Sequence, residues 1–194
     1  MMRVIRSYKE LRSLDLYIRE VFEVALEEVL KRLDSVILCF EEPCKRMYLV
    51  EERLLERIFG LYDRGVEIQA AGVLIGLIDG ELFIPSPRFL ELLYGTLDTV
   101  RGAVIAREEG VRVFLYGRDL LYESVVEILR PFRKKLTVAV IDRSDNRVVG
   151  VGFAAEDADE ILRWPRTRDY MRRPVVYNIM DLGLYLRAQD EDLY

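Results

Sequence analysis

The sequence predicts two domains: an α+β domain with an antiparallel sheet and helices over residues 1–98, then a mostly β barrel over residues 99–194. The first part alternates helical periodicity with short apolar strands. The second part contains strand patterns at residues 136–141 and 148–155, the latter punctuated by glycine. Between the two parts, residues 94–101 interrupt the apolar pattern with glycine, threonine and aspartate, which is typical of a domain boundary.

The first domain opens with a helix and a pair of strands. Apolar residues recur every three to four positions from Leu11 to Leu33, which predicts one amphipathic helix. Residues 35–40 and 47–50 follow as two strands that pair across a turn. A second helix is expected from about residue 51 to near Gly60. Its apolar face, which we expect to be buried, consists of Leu54, Leu55, Ile58 and Phe59.

A hairpin and a capped helix complete the first domain. Residues 70–78 and 81–84 read as strands, and the Asp79-Gly80 dipeptide between them is a strong signal for a tight turn. Ser86 is the expected cap of the next helix, because its hydroxyl can accept a hydrogen bond from a free backbone N–H. Pro87 suits the first helical position, and the helix is expected to run through Leu93.

The second domain is predicted to begin with two strands, residues 103–107 and 111–116, joined by a Glu-Glu-Gly turn. A helix that starts at Gly117 and ends before Pro131 follows. After the glycine-punctuated hairpin comes a basic loop, residues 163–173, which we call the arginine segment. Two short strands, residues 174–177 and 181–186, are expected to close the barrel.

Composition limits the function more sharply than it limits the fold. The chain has 194 residues and no histidine, which removes Ser-His and Cys-His pairs and most catalytic zinc sites. Cys39 and Cys44 cannot fill a structural zinc site alone; a buried or edge thiol is the expected role, with a disulfide as the alternative. We therefore expect no catalytic residues, metal or cofactor. The acidic cluster at residues 156–160 is expected to be a solvated loop.

The sequence also predicts where the protein resides. Half of the residues are apolar and 32% are charged, which allows a buried core and a soluble surface. No apolar run approaches the roughly 20 residues that span a bilayer, and no cleavable signal is visible at the start. We expect a cytoplasmic protein that does not contact membranes.

The charge is distributed unevenly along the chain. The net charge is −5, yet residues 130–187 contain twelve basic and eight acidic residues, whereas residues 1–101 contain fourteen basic and eighteen acidic residues. Overall charge governs solubility, while local potential governs where a phosphate binds. The second domain is therefore the expected site of contact with an anionic partner.

The arginine segment is the main candidate binding site. Guanidinium groups hold phosphate oxygens in fork geometry, and Trp164 or Tyr170 could stack on an unpaired base. Alternatively, both aromatic side chains anchor the loop, and the arginines are solvated or pair with Asp159, Glu160 and Asp169. The arginines are Arg163, Arg166, Arg168, Arg172 and Arg173.

Four more cations either extend this candidate surface or are ordinary solvated turn residues. Lys134, Lys135 and Arg147 flank the central hairpin. Arg118 follows Gly117 at the expected start of a helix, where free backbone N–H groups favour an anion.

The order of several motifs resembles a known family. Phe-Leu-Tyr-Gly at residues 114–117, the glycine-punctuated strand and the stretch at residues 181–187 together resemble a PUA domain, a pseudobarrel of RNA-modifying enzymes and ribosome-assembly factors. Phe-Leu-Tyr-Gly is similar to the Nip-seven family of large-subunit ribosome biogenesis factors. In the first domain, residues 72–93 contain a strand segment with a glycine at each end (72–76), the Asp79-Gly80 turn, a second strand and a helix. These elements resemble that family's first domain in order and spacing.

The resemblance implies a non-enzymatic factor that binds pre-rRNA through its PUA domain. Its partners would be ribosome-assembly or RNA-processing proteins, bound through the first domain, and eukaryotic relatives would be nucleolar. Arg172 and Arg173 lie where archaeal relatives carry basic residues implicated in RNA contact, but Pro174, Tyr177 and Met180 depart from the family pattern. The alternatives are an RNA-modification enzyme or accessory subunit with a PUA module, and a protein-interaction scaffold.

Overall fold

The computed structural model describes residues 3–5, 8–39 and 44–183. The chain divides into two compact units, of which one ends at Asp98 and the other begins at Thr99. Phe40 at the end of the first predicted strand and residues 184–187 at the end of the PUA pattern lie outside the described residues.

The first unit combines helices with an antiparallel sheet, as predicted. Among the described residues its strands follow the sheet order β1-β2-β3-β4-β5, and each pairs antiparallel with its neighbour. The strands are β1 (Arg3–Ile5), β2 (Ser35–Cys39), β3 (Arg46–Glu51), β4 (Val73–Asp79) and β5 (Leu82–Pro85). The helices are α1 (Tyr8–Phe22), α2 (Leu26–Arg32), α3 (Leu55–Asp63) and α4 (Pro87–Leu97).

The predicted single helix at the start is two helices, so that expectation was wrong. Glu23 has a φ of 62°, a left-handed conformation that ends α1. The buried Asp15 carboxylate accepts a hydrogen bond from the backbone N–H of Leu26, at 3.0 Å, and forms an ion pair with Arg19 at 2.7 Å. Asp15 thus satisfies a free N–H at the start of α2, which holds the break in place.

Helix α3 also differs from the prediction. It passes through Gly60, where a Cβ would meet no atom within 4 Å, and continues to Asp63. Its expected buried face is not buried: Leu54 is exposed, and Leu55, Ile58 and Phe59 are half-buried. Among the described residues, the main neighbour of α3 is the 3₁₀ turn that precedes it.

The hairpin and the capped helix are confirmed. β4 and β5 meet at Asp79 and Leu82, and Gly80 in the turn has a φ of 60°. The Ser86 hydroxyl accepts a hydrogen bond from the Phe89 N–H at 3.1 Å, and Pro87 opens α4. The helix extends past Leu93 to Leu97.

The cysteines form a disulfide, so the expected thiols were wrong. Cys39 ends β2 and Cys44 precedes β3, and these strands are antiparallel neighbours. Their Cα atoms are 5.8 Å apart, within the range that a disulfide bridges.

The second unit is a curled mixed sheet with short helices. Among the described residues, its strand order is β7-β11-β10-β9-β6-β8, and β6 and β9 are parallel. The strands are β6 (Ala103–Ala106), β7 (Leu120–Leu121), β8 (Val125–Leu129), β9 (Thr137–Asp142), β10 (Val148–Ala154) and β11 (Pro174–Asp181). The helices are α5 (Glu108–Leu115), α6 (Ala158–Ile161) and α7 (Arg168–Met171).

Residues 103–130 contradict the prediction in two places. Residues 111–116 lie largely in helix α5, whose buried Gly110, Val111 and Phe114 share one helical face. The expected helix after Gly117 is replaced by β7, a 3₁₀ turn and β8, because β-branched residues in β8 pair with the distant β6.

Gly117 ends a helix instead of starting one. Its φ is 79°, its N–H donates to the Phe114 carbonyl at 2.9 Å, and the Arg118 N–H donates to the Val113 carbonyl at 3.3 Å. These two bonds form a Schellman motif, in which glycine supplies the left-handed residue after the helix.

Helix α5 packs on the apolar face of the sheet. The core of the second unit includes Phe114, Val140, Val176 and Trp164. A Cβ at Gly150 would lie 2.7 Å from the Phe114 ring, so glycine at this position lets the ring lie directly on β10.

Candidate nucleic-acid interface

The arginine segment connects the end of β10, through α6, to the start of β11, and α7 lies within it. Its five arginines are all exposed. Within the part of the chain that the structure describes, none of the five forms an ion pair, and four of them also make no cation–π contact; these four are Arg163, Arg166, Arg168 and Arg172. Asp159, which the alternative interpretation paired with the segment, instead binds Arg130. The charge of the segment is therefore available to a ligand.

The aromatic side chains anchor the segment. Trp164 is 8% exposed, meets the Tyr122 ring edge-on with centroids 5.6 Å apart, and lies 5.8 Å from the Tyr170 ring. A buried indole supplies core packing and cannot present a free face to a base. For the tryptophan, the anchoring alternative is correct.

Arg173 is held against this aromatic cluster. Its guanidinium carbon lies 4.0 Å from the Tyr170 ring centroid and 5.8 Å from that of Trp164. The Arg173 backbone N–H donates to the Tyr170 carbonyl at 3.0 Å, and the Arg173 carbonyl accepts from the Tyr122 backbone N–H at 2.9 Å. The guanidinium therefore covers one face of Tyr170, which limits that ring as a stacking surface.

The hairpin cations divide between the two ends of the sheet. The Lys135 N–H donates to the Ala154 carbonyl at 2.8 Å, which places Lys134 and Lys135 at the end of β10 from which the arginine segment departs. Arg147 lies at the other end, separated by the length of β10, about 23 Å for its seven residues. The structure thus brings the lysines, but not Arg147, to the segment's end of the sheet.

Lys134 is already paired. Its amine lies 2.8 Å from the Glu156 carboxylate, and its backbone N–H donates to Asp157 Oδ1 at 2.8 Å. The hydrogen bond and the charge of Glu156 raise the pKa of Lys134. The exposed Lys135 side chain forms no ion pair among the described residues.

The anion-site argument for Arg118 was wrong. The residue is exposed, but it follows the C-terminal end of α5, where the helix dipole is negative.

A polar network that the sequence did not indicate fixes the turn after α5. Asn178 donates its backbone N–H to Asp119 Oδ1 at 3.0 Å and its side-chain amide to the Phe114 carbonyl at 2.8 Å.

One exposed aromatic side chain was overlooked as a candidate. Tyr177 on β11 is 47% exposed and lies opposite the half-buried Phe153 on β10. The signal was an aromatic residue between the strand neighbours Val176 and Asn178, because alternate strand residues point to opposite faces.

The described residues contain neither a metal-binding cluster nor a membrane-spanning helix. Among residues 3–5, 8–39 and 44–183, no three or more Cys, Asp and Glu side chains are grouped in a way that could hold a metal ion. No helix in the same ranges has the length and apolarity needed to cross a membrane.

Comparison with known proteins identifies the fold of the second unit. Residues 102–190 match a family model described as the UPF0113 PUA domain. A UPF0113 protein from Archaeoglobus fulgidus is 37% identical over 120 residues, which cover 61% of this chain and 62% of the relative. The matched part of the chain thus spans less than two thirds of that relative's length.

Solved structures resemble the chain over nearly all of its length. A PUA domain from Aeropyrum pernix, crystallised as a tartrate complex, has a TM-score of 0.63 at 17% identity and covers 98% of this chain and 91% of its own. A hypothetical protein from Pyrococcus horikoshii gives 0.63 at 14% identity, covering 93% and 94%. A conserved PUA domain protein from Thermoplasma acidophilum gives 0.58 at 18% identity, covering 97% and 99%. The predicted PUA fold is confirmed.

Proposed function

We propose that this chain is a non-enzymatic RNA-binding factor of the Nip-seven type, which binds pre-rRNA during biogenesis of the large ribosomal subunit. The observation that carries the proposal is the set of four exposed arginines without ion pairs in a PUA unit. The motif order of the whole chain, which is similar to that family, supports the ribosomal assignment. We further propose that the protein is cytoplasmic.

The chemistry of the segment favours phosphate over other anions. Each guanidinium offers parallel N–H donors that match two phosphate oxygens, and it stays charged at any physiological pH. Because the chain as a whole is acidic, attraction to RNA has to come from this local surface. Added salt should therefore weaken binding steeply, since each neutralised phosphate releases counterions.

The experiment is equilibrium binding of the full chain to a single-stranded oligoribonucleotide between about 50 and 200 mM salt. The logarithm of the affinity should fall linearly with the logarithm of the salt concentration, with a slope of about −3 for four phosphate contacts. Absence of binding at low salt, or a slope near zero, would contradict RNA binding.

The ribosomal role and the absence of catalysis need separate tests. Crosslinking in cells of the source organism should recover large-subunit rRNA, and recovery of other RNAs alone would contradict the ribosomal assignment. Incubation of unmodified rRNA with the purified protein should yield no modified nucleosides, whereas their appearance would favour the enzyme alternative.

A surface on the first unit suits protein partners. Leu54, Leu61, Tyr62 and Val66 on and next to α3 are each at least 36% exposed. Exposed apolar groups on one element are typical of an interaction site. We expect ribosome-assembly or RNA-processing proteins to bind here. Leu61→Glu should reduce co-sedimentation with large-subunit precursors without changing RNA affinity; unchanged co-sedimentation would exclude this surface.

A further inference from the structure

Tyr177 lies in β11 between Val176 and Asn178. Val176 is fully buried in the core of the PUA unit, and Asn178 donates its side-chain amide to the Phe114 carbonyl at the end of α5. Because successive strand residues point to opposite faces, Tyr177 lies on the face opposite α5. Its 47% exposure leaves part of the ring open to solvent.

Phe153 backs Tyr177 on the same face. The two residues are directly opposite each other in the antiparallel pair of β10 and β11, which brings their Cβ atoms to about 5 Å. Gly152 allows β10 and β11 to lie close together at this point: a Cβ there would lie 2.1 Å from the Tyr177 carbonyl oxygen and 2.5 Å from Val176 Cγ1. The tyrosine is therefore held on a rigid strand, not on a loop.

Cations flank this aromatic pair. Lys134 and Lys135 lie at the end of the sheet where Tyr177 pairs with Phe153. Arg173 precedes Tyr177 by four residues, about 13 Å along the chain. An open aromatic ring beside cations fits a ligand that carries both bases and phosphates.

The other aromatic side chains of the candidate interface are less suitable for stacking on a base. Trp164 is buried, and the guanidinium of Arg173 covers one face of Tyr170. We propose that Tyr177, backed by Phe153, stacks on an unpaired base of single-stranded RNA whose phosphates bind the arginine segment. This inference rests on the proposed function and adds base stacking to its phosphate contacts.

The test compares two ligands and three variants of the full chain. The ligands are an unstructured adenosine-rich oligoribonucleotide and an abasic strand with the same backbone. Tyr177→Ala should bind the adenosine-rich strand about tenfold more weakly and the abasic strand as tightly as the unsubstituted protein. Tyr177→Phe should retain the affinity, because stacking needs the ring and not the hydroxyl.

Tyr116→Ala is the matched control. This tyrosine is 71% exposed and follows α5, on the other side of the sheet, so its removal should leave both affinities unchanged. The salt slope of Tyr177→Ala should equal that of the unsubstituted protein, because no charge is lost.

Equal binding of the adenosine-rich strand by Tyr177→Ala and the unsubstituted protein would overturn the stacking role. An equal loss on both ligands would also overturn it. If the unsubstituted protein shows no salt-dependent binding, the proposed function itself fails.

Discussion

Two groups of cations in the PUA unit differ in whether their charge is already neutralised. At the end of the central hairpin, Arg130 binds Asp159 and Lys134 binds Glu156. The arginines of the arginine segment lie close in sequence to these same acids but do not bind them within the described residues. A count of charges in the sequence therefore overstates the free positive charge at the end of the hairpin. It also hides the difference in free charge between this group and the arginine segment.

The two groups also differ in what holds them in position. Arg130 and Lys134 are held by carboxylates, which neutralise them. The arginine segment is instead anchored by Trp164, which packs against Tyr122 and Tyr170. The Arg173 guanidinium lies over the rings of Trp164 and Tyr170. Anchoring by aromatic packing fixes the segment without consuming the charge of its arginines.

Removal of the aromatic anchor should have the largest effect on stability. Trp164→Ala deletes a buried indole, which should lower the free energy of unfolding by about 3–5 kcal/mol. Urea denaturation followed by far-UV circular dichroism measures this change. Tyr116→Ala, which removes an exposed ring, serves as the control and should change stability little. Equal stability of the two variants would show that the indole does not anchor the segment.

The contact of Arg173 with the rings should have a smaller effect. Arg173→Met should lower the free energy of unfolding by about 0.5–1 kcal/mol, the usual contribution of an exposed cation–π contact. Combined with Tyr170→Leu, it should cost less than the sum of the two single changes, because both remove the same contact. Strict additivity in this double-mutant cycle would argue against the contact.

The paired lysine should have the smallest effect on RNA binding. The double variant Lys134→Gln, Glu156→Gln should leave RNA affinity nearly unchanged, because the ion pair that it removes has no net charge. Glu156→Gln should instead raise the affinity modestly, since it releases the Lys134 amine. Anisotropy titrations at low salt measure both changes. A marked loss in the double variant would mean that the paired cation also contacts RNA.

The sequence predicted elements whose signals are local. The Asp79-Gly80 turn and the Ser86 cap followed by Pro87 depend on the backbone preferences of a few adjacent residues, and the structure confirms them. The PUA fold also followed from the sequence, through the order of its motifs.

The sequence failed where distant residues decide the structure. The short apolar run at residues 125–129 fits a helix or a strand, and only its pairing with β6 makes it a strand. Gly117 fits either end of a helix until the hydrogen bonds of α5 are known. The ion pair between Arg130 and Asp159 joins residues 29 positions apart, so the sequence could not show which arginines were neutralised.

The central claim is that unpaired arginines of the PUA unit, and not overall charge, bind RNA. A matched control exists in the first unit, where four exposed arginines can be replaced with the same change in net charge. The test variant replaces Arg163, Arg166, Arg168 and Arg172 by alanine, and the control replaces Arg53, Arg57, Arg64 and Arg88.

The measurement is the salt dependence of RNA binding by both variants and the unsubstituted protein, with circular dichroism to verify folding. The slope of the test variant should become less negative by about 0.7 for each lost contact, or about 3 in total. The control variant should keep the slope of the unsubstituted protein. Equal slopes for the two variants would contradict the account.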